Sequence, residues 1–413
     1  MKKKVLFFLL LVALVGALFI GCERGSQQRE VSLWYWDVLV SPDFEVMKRE
    51  FEQANPGHVI EFSVTPFAQY WTNLQTALPT GAGPDIFWLN HPYAVSYMPT
   101  GQVMNLEPWA DTINFNNFER LFVEPFTHNG ARYAIPFMWD SNVLFFNKAH
   151  FDAAGIPYPN ENWTWDDFYD AARRLTIRSG NTTTQYGAIV HHALQSGVGP
   201  FILQNGEPVY NADRTRLNLN NPRSIEAIQR NLDLIIGGFA PTAQMVAEAT
   251  DLALFSSGAA SMLTAHSIRV SHFADGLGRD LGVSHLPQGR RRATVIHNIA
   301  HSAATRTRNT EGTRALMEFI ATRRLAEIIS KTFAPCYTGA SDLYFQEYAW
   351  AGAMLIPSTV NYGFPLQISS RNAGPVNTLL NNEMQRIFST AGTANLAAQI
   401  AELETLINAE INR

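Results

Sequence analysis

The sequence predicts an α/β fold around mostly parallel strands. Strand-like apolar runs alternate with amphipathic helical stretches, the helices carry recognisable start and stop residues, and 413 residues suffice for two cores. Val31–Trp36 is the first strand. Ser41 then caps a helix, with Pro42 at its first position and Asp43 and Glu45 in its first turn. Phe44, Met47 and Phe51 share one face, and Asn55-Pro56-Gly57 stops the helix. Ile60, Phe62 and Val64 alternate as a second strand, Tyr70–Leu78 forms a second helix, and Asp85–Leu89 is a third strand. Further along, Ser141–Asn147 reads as a long strand able to link two lobes. Thr164 and Asp167 are spaced as a capping box, with Trp163 and Phe168 as a hydrophobic staple and Phe168, Ala171, Ala172 and Leu175 facing inward. Tyr186–Val190 is a strand, 225–236 a helix ended by Gly237-Gly238, Val295–Ala300 a strand, and 314–329 a helix. The last helix, 394–412, carries Leu396, Ile400, Leu403 and Ile407 at helical spacing.

The N-terminus sets the compartment. Lys2-Lys3-Lys4 precede an apolar stretch, Val5–Ile20, too short for a comfortable membrane span, and Gly21-Cys22 is followed at once by polar residues. This resembles a bacterial lipoprotein signal, with Phe19 where leucine is commonest. The resemblance implies cleavage before Cys22, lipidation of Cys22, a signal peptide of residues 1–21 and a tether of residues 22–30. The body then works outside the cytoplasm on a membrane anchor. The 31 basic residues less the three leader lysines leave 28 against 36 acidic, a formal charge of −8. That excludes nucleic acid as an expected partner. With Cys22 lipidated, Cys336 has no disulfide partner and is expected to be buried and inert.

Several segments occur in the order found in one family: Leu33-Trp-Tyr-Trp-Asp37, Phe51-Glu-Gln-Ala-Asn-Pro56, Thr80-Gly-Ala-Gly-Pro-Asp85-Ile-Phe-Trp88 and Gly130-Ala-Arg-Tyr-Ala-Ile-Pro136. Phe145-Phe-Asn-Lys148, Ala154-Gly-Ile-Pro157, Trp163-Thr-Trp-Asp166, Asn205-Gly206, Phe255–Met262, Leu286-Pro287 and Met317-Glu-Phe-Ile320 continue the series. Each is weak alone; their collinear order is not. The chain resembles the extracellular solute-binding proteins of ABC importers, in the maltose-binding-protein-like carbohydrate family. The resemblance implies a two-lobed periplasmic-binding-protein-like fold with a ligand cleft at the hinge. It places one lobe at residues 31–138 plus 286–335 and the other at 142–284 plus 337–413. It also implies a carbohydrate ligand, ABC permease subunits as partners, a monomer, no cofactor, and a periplasmic or cell-surface location.

A sugar offers hydroxyls and flat apolar faces, so acids, amides, histidines and aromatic rings are the candidates. Trp36 and Asp37 end the first strand, where ligands gather in open α/β sheets; Asp37 also suits a turn or cap, and Trp36 the core. Tyr70 is a stacking candidate, and Asn90 ends the third strand with an amide that can both donate and accept. Trp139 and Asp140 stand where the chain crosses between lobes. His191 and His192 are adjacent on an extended segment, so only one can face a cleft, and His192 is the candidate. His266 stands in a stretch where relatives often carry Gly-x-Trp, so it replaces an expected aromatic platform. Trp350 and Arg371 are late candidates carried over from the resemblance. Asp85, in a Gly-Pro-Asp turn, is expected to satisfy backbone rather than ligand.

No nucleophile elbow, His-Glu-x-x-His helix or Ser-x-x-Lys is present, and Gly81–Gly83 lacks the Lys of a phosphate loop. The expected function is capture of a sugar or oligosaccharide for a permease, without catalysis. Alternatives are another small polar solute such as a polyol phosphate and a carbohydrate-active hydrolase, which would need two carboxylates across the cleft.

Overall fold

The computed structural model describes residues 29–413. The leader, the candidate lipidation site Cys22 and the tether as far as Gln28 lie outside those residues. Eight strands make one sheet: β1 Arg29–Tyr35, β2 His58–Val64, β3 Ile86–Asn90, β4 Ile135–Asn147, β5 Met262–His266, β6 Leu281–Ser284, β7 Thr294–Ala303 and β8 Gly363–Pro365. Their order is β6-β4-β7-β3-β1-β2, with β5 added on β4 and β8 on β7. β1 pairs in parallel with β2 and β3, and β7 with β8, but β4 and β7 are antiparallel to their main neighbours. The sheet is therefore mixed rather than mostly parallel. β4 carries the chain outward from one core and β7 brings it back, so the two must run in opposite directions.

The main helices are α1 Ser41–Ala54, α2 Phe67–Thr80, α3 His91–Tyr97, α4 Trp165–Leu175, α5 Pro222–Ile236, α6 Thr310–Ile320, α7 Arg323–Ile329, α8 Ala373–Ser389 and α9 Leu396–Ile411. α4 has the expected capping box: Thr164 Oγ1 accepts from the Asp167 amide, and Asp167 Oδ2 accepts from the Thr164 amide at 2.8 Å. Three expectations change. Ser41 is the first helical residue, not the cap; its hydroxyl instead meets the Tyr35 hydroxyl at 3.0 Å. Residues 314–329 are split into α6 and α7, because the Thr322 side chain caps the Leu325 amide and starts a new helix. Tyr186–Val190 forms only single bridges, Tyr186 to Ala260 and Ile189 to Leu263, since its neighbours do not keep it in register long enough for a strand.

Two apolar clusters form. The first gathers α1, α2, β1–β3 and the start of β4, with Phe44, Phe51 and Trp88 fully buried at its centre. The second gathers α4, α5, α8 and α9 around Phe151, Phe168 and Phe201. Each such buried ring stabilises the fold by roughly 2–3 kcal/mol. All thirteen residues of β4 are buried. Its start belongs to the first cluster; from Val143 on it alternates, Val143 and Phe145 facing the first and Leu144 and Phe146 the second. Cys336 is 1% exposed, and burial pushes its thiol well above the usual range. It is an inert core residue.

Candidate ligand-binding site

β4 changes partners midway. Residues 135–141 pair with β7 and residues 142–147 with β5 and β6. At the change, Asp140 faces His297 of β7 and Asn142 faces His266 of β5. His266 Nδ1 donates to Asp140 Oδ1 at 2.5 Å, and His297 Nδ1 lies 3.5 Å from Oδ2. Asp140 is 4% exposed. Burial pushes its carboxyl up, but the charge and hydrogen bond of His266, with those of His297, outweigh burial and hold it well below the usual carboxylate range. The crossing is pinned around it. The Ser141 backbone amide donates to Ser267 Oγ at 3.2 Å, the Ser141 and Thr359 hydroxyls meet at 2.8 Å, and Asn142 Nδ2 donates to the Gln195 backbone carbonyl. Behind His297, His91 Nε2 donates to the Leu366 carbonyl at 3.1 Å while its Nδ1 accepts from the Asn298 amide at 3.3 Å. Burial and the neighbouring His297 bring His91 down to about 3, so it is neutral with its proton on Nε2.

Two cavities open here. The larger, about 560 Å³, is lined by Asp37, Asp140, Arg269, His272, His297 and Lys331 among others. The smaller, about 230 Å³, lies between the clusters. Phe67, Asn90 and Tyr93 reach it from the first-cluster side, and Leu194, Tyr210 and Leu380 belong to the second. His266 and Gln195 line both cavities and stand at their junction. In the smaller one, Asn90 Oδ1 and Asn377 Nδ2 are buried with no hydrogen-bond partner. Such atoms are costly to leave unpaired. A cavity of about 960 Å³ lies elsewhere, at the starts of β1 and β2, and its buried carboxylate, Asp85, is already saturated by backbone and hydroxyl donors. Among the described residues no group of His, Cys, Asp and Glu is arranged to hold a metal ion. The Asp140–His266 distance is that of a direct hydrogen bond.

The structure brings Asp37, Asn90, Asp140 and His266 to the two chambers. Asp37 also caps the turn that follows β1, Oδ1 accepting from the Leu39 amide at 3.0 Å. The other candidates lie away from the chambers. Tyr70 is fully buried, its hydroxyl donating to the Trp88 carbonyl at 2.7 Å. Trp36 packs against Phe67, Tyr70, Trp71 and Trp88, with ring centres 4.9–5.6 Å apart. Trp139 is 2% exposed and packs on Phe122 and Phe345; it borders a separate small cavity beside Cys336. His192 packs on Phe388 of α8, while its neighbour His191 bonds Asp251 at 3.0 Å, and the two imidazole centres lie 6.2 Å apart. Trp350 packs against two cations, Lys148 at 5.6 Å and Arg279 at 4.8 Å from its ring centre. Arg371 is exposed.

Sequence reasoning missed His297, Gln195, Tyr93 and Asn377. His297 is placed by its register opposite Asp140, a long-range pairing that no local pattern encodes. Tyr93 lies on α3 just past Asn90, and the strand-end rule reaches it if extended by one helical turn. Its ring stacks on Trp71 at 4.2 Å and 6°.

A family model for bacterial extracellular solute-binding proteins matches residues 38–324. The chain belongs to the bacterial extracellular solute-binding proteins. As a member it is an extracytoplasmic binding protein. A solved ABC substrate-binding protein from Listeria monocytogenes, in complex with cycloalternan, is similar in fold: TM-score 0.84, 20% identity, 93% of this chain and 99% of that one. The lactose-binding protein of Rhizobium radiobacter is 28% identical over 232 residues, 52% of this solute-binding protein and 51% of the relative. The erythritol/L-threitol-binding protein of Mycolicibacterium smegmatis is 31% identical over 179 residues, 38% and 37% of the two chains.

Proposed function

We propose that this solute-binding protein captures a carbohydrate in the two-chamber cleft and delivers it unreacted to an ABC permease. The observation that carries the reading is the lining of the cleft. Hydrogen-bonding side chains without partners inside the protein, Asn90 and Asn377, stand beside the aromatic rings of Tyr93 and Tyr210. A polyhydroxylated ring needs that mixture. The lactose-binding relative and the cycloalternan complex support it. In this reading lobes of residues 31–138 plus 286–335 and 142–284 plus 337–413 close about the β4 crossing, and the closed form docks on the permease as a monomer. Cys22 carries the lipid that keeps the binder near its permease, which raises its effective concentration there.

The ligand leaves as it arrived. Asp37 and Asp140 are the two carboxylates on the larger chamber. The histidines hold Asp140 below the usual carboxylate range, which disfavours it as the proton donor of a hydrolase. A second reading, a polyol phosphate, rests on Arg269 and Lys331 in the larger chamber and on the erythritol/L-threitol-binding relative. It stands second because Asp37 and Asp140 would face the phosphate with like charge.

A thermal-shift screen of saccharides, polyols and polyol phosphates tests the reading. A ligand at 100 times its dissociation constant adds about 2.7 kcal/mol to stability. A rise in melting temperature with a neutral saccharide is expected. A response to polyol phosphates alone moves the function to the second reading, and release of cleaved sugar products would overturn the transport role.

A further inference from the structure

At the β4 crossing two imidazoles share one carboxylate. We propose that solute capture is linked to protons: an occupied cleft tolerates one imidazolium on the Asp140–His266–His297 cluster but not two, so acid weakens capture. This rests on the carbohydrate reading above, since a phosphate would supply the missing counter-charge.

The cluster joins three strands. Asp140 stands where β4 changes partners, His266 ends β5, and His297 lies on β7 opposite Asp140. All three line the larger chamber. The imidazole centres of His266 and His297 are 6.1 Å apart. His266 Nδ1 bonds Asp140 at 2.5 Å, and His297 Nδ1 stands 3.5 Å from the other carboxylate oxygen. One protonated ring is therefore neutralised by Asp140. A second sets two like charges around a single anion.

The surroundings do not supply another anion for the second ring. In the chamber two acids, Asp37 and Asp140, face two permanent cations, Arg269 and Lys331. Those charges balance while both imidazoles are neutral, so each added proton makes the chamber positive. Asp251 is engaged by His191 at 3.0 Å and by the charge of Arg269. His91, its ring centre 5.2 Å behind that of His297, is brought down to about 3 by burial and by His297 and stays neutral. Cys336 and Tyr344, which feel the Asp140 charge, are pushed up mainly by burial and stay uncharged. His272 also lines the chamber, on an exposed position. In the empty cleft, water screens a second imidazolium. A solute seated against the cluster displaces that water, and an uncharged solute brings no counter-charge. The second proton then leaves as the solute binds. Histidine is the side chain whose charge changes between pH 5 and 8, so the effect falls in that range.

Isothermal titration of the intact protein at pH 7.5, 6.5 and 5.5 tests the proposal, with the neutral saccharide that most raises its melting temperature. A melting scan at each pH separates loss of fold from loss of affinity. Release of one proton weakens binding by up to about 10-fold per pH unit, and a fall of about 10-fold or more from pH 7.5 to 5.5 is expected. At pH 6.5, heats measured in two buffers of different ionisation enthalpy should show net proton release. His297→Gln removes the second ring and should flatten the profile and abolish the release, which a merely structural histidine would not do. If that variant does not fold, the two-buffer proton count on the unaltered protein decides alone. A profile flattened by His272→Gln instead would move the linkage to the exposed ring and overturn the proposal. A flat profile, affinity that rises in acid, or proton uptake on binding would also overturn it, and the carbohydrate reading would stand. If no saccharide binds at any pH, the carbohydrate reading falls and this proposal with it.

Discussion

Asp85 and Asp140 are both buried carboxylates, yet the fold uses them in opposite ways. Asp85 accepts from the Ser32 amide and hydroxyl at 2.8 Å, from Thr307 Oγ1 at 2.6 Å and from the Arg308 amide at 3.0 Å. Four fixed neutral donors lock β1 to the turn after β7, and nothing is left over for a solute. Asp140 is held by two imidazoles that also line the cleft. Its partners also face the cavity. Saturation by fixed amides and hydroxyls marks a structural acid, whereas the proposed cleft acid is attached to side chains that face a cavity.

Acid should separate the two regions most strongly. His91 behind the cleft and His301 in the first core are both brought down to about 3 by burial, with His297 adding to the effect at His91. A lowered folded value means that their stabilisation is complete above the unfolded value near 6.5 and is lost as pH falls toward 3. Between those limits each ring should cost about 1.4 kcal/mol per pH unit. Urea unfolding at pH 7, 6 and 5 reads the slope, and His91→Gln should lower it by about one ring's share; a flat profile would show that the rings stay solvated.

Asp85→Ala should come next, at roughly 3 kcal/mol, because it strands two backbone amides. Saccharide affinity of the folded protein should not change. A loss of affinity equal to that of a cleft variant would erase the distinction between the two acids. Asp140→Asn should cost about 2 kcal/mol and weaken saccharide binding at least about 10-fold, since His266 loses the charge that fixes it. The wild-type Asp140 contribution is present above the unfolded value of about 4 and disappears as pH falls below it toward the lower folded value. The Asp140→Asn variant should lack that dependence. Smallest is Ser32→Ala. It removes one of four donors to Asp85 and should cost about 1 kcal/mol with binding unaltered, read by the same urea series.

The fold was largely legible because its signals are local. The alternation of strands and helices, the capping box at Thr164 and the Gly237 stop need only neighbours in sequence. The turn role of Asp85 was legible for the same reason. The helix expected across 314–329 broke at Thr322, a competing cap inside an apolar pattern. The site was half legible. Asn90 stands at a strand end and Asp140 at the crossing, which rules about strands and domain junctions can find, and His266 came from the family resemblance. Tyr70 and Trp36 went to the core because an aromatic residue satisfies a packing pattern and a stacking pattern equally well. His297 and the unpaired amide of Asn377 depend on register and on helix docking, and these exist only once the chain has closed on itself.

β4 constrains how such a protein can be taken apart or recombined. One uninterrupted buried strand serves both cores, so neither half can be inherited as a module. A chimera that borrows the first core from a relative must take Ile135–Asn147 and the returning Thr294–Ala303 with it, or it will splice two incompatible seams. A backbone cut within Ile135–Asn147 would disable both halves at once, whereas a cut in the exposed 180–182 turn would spare them.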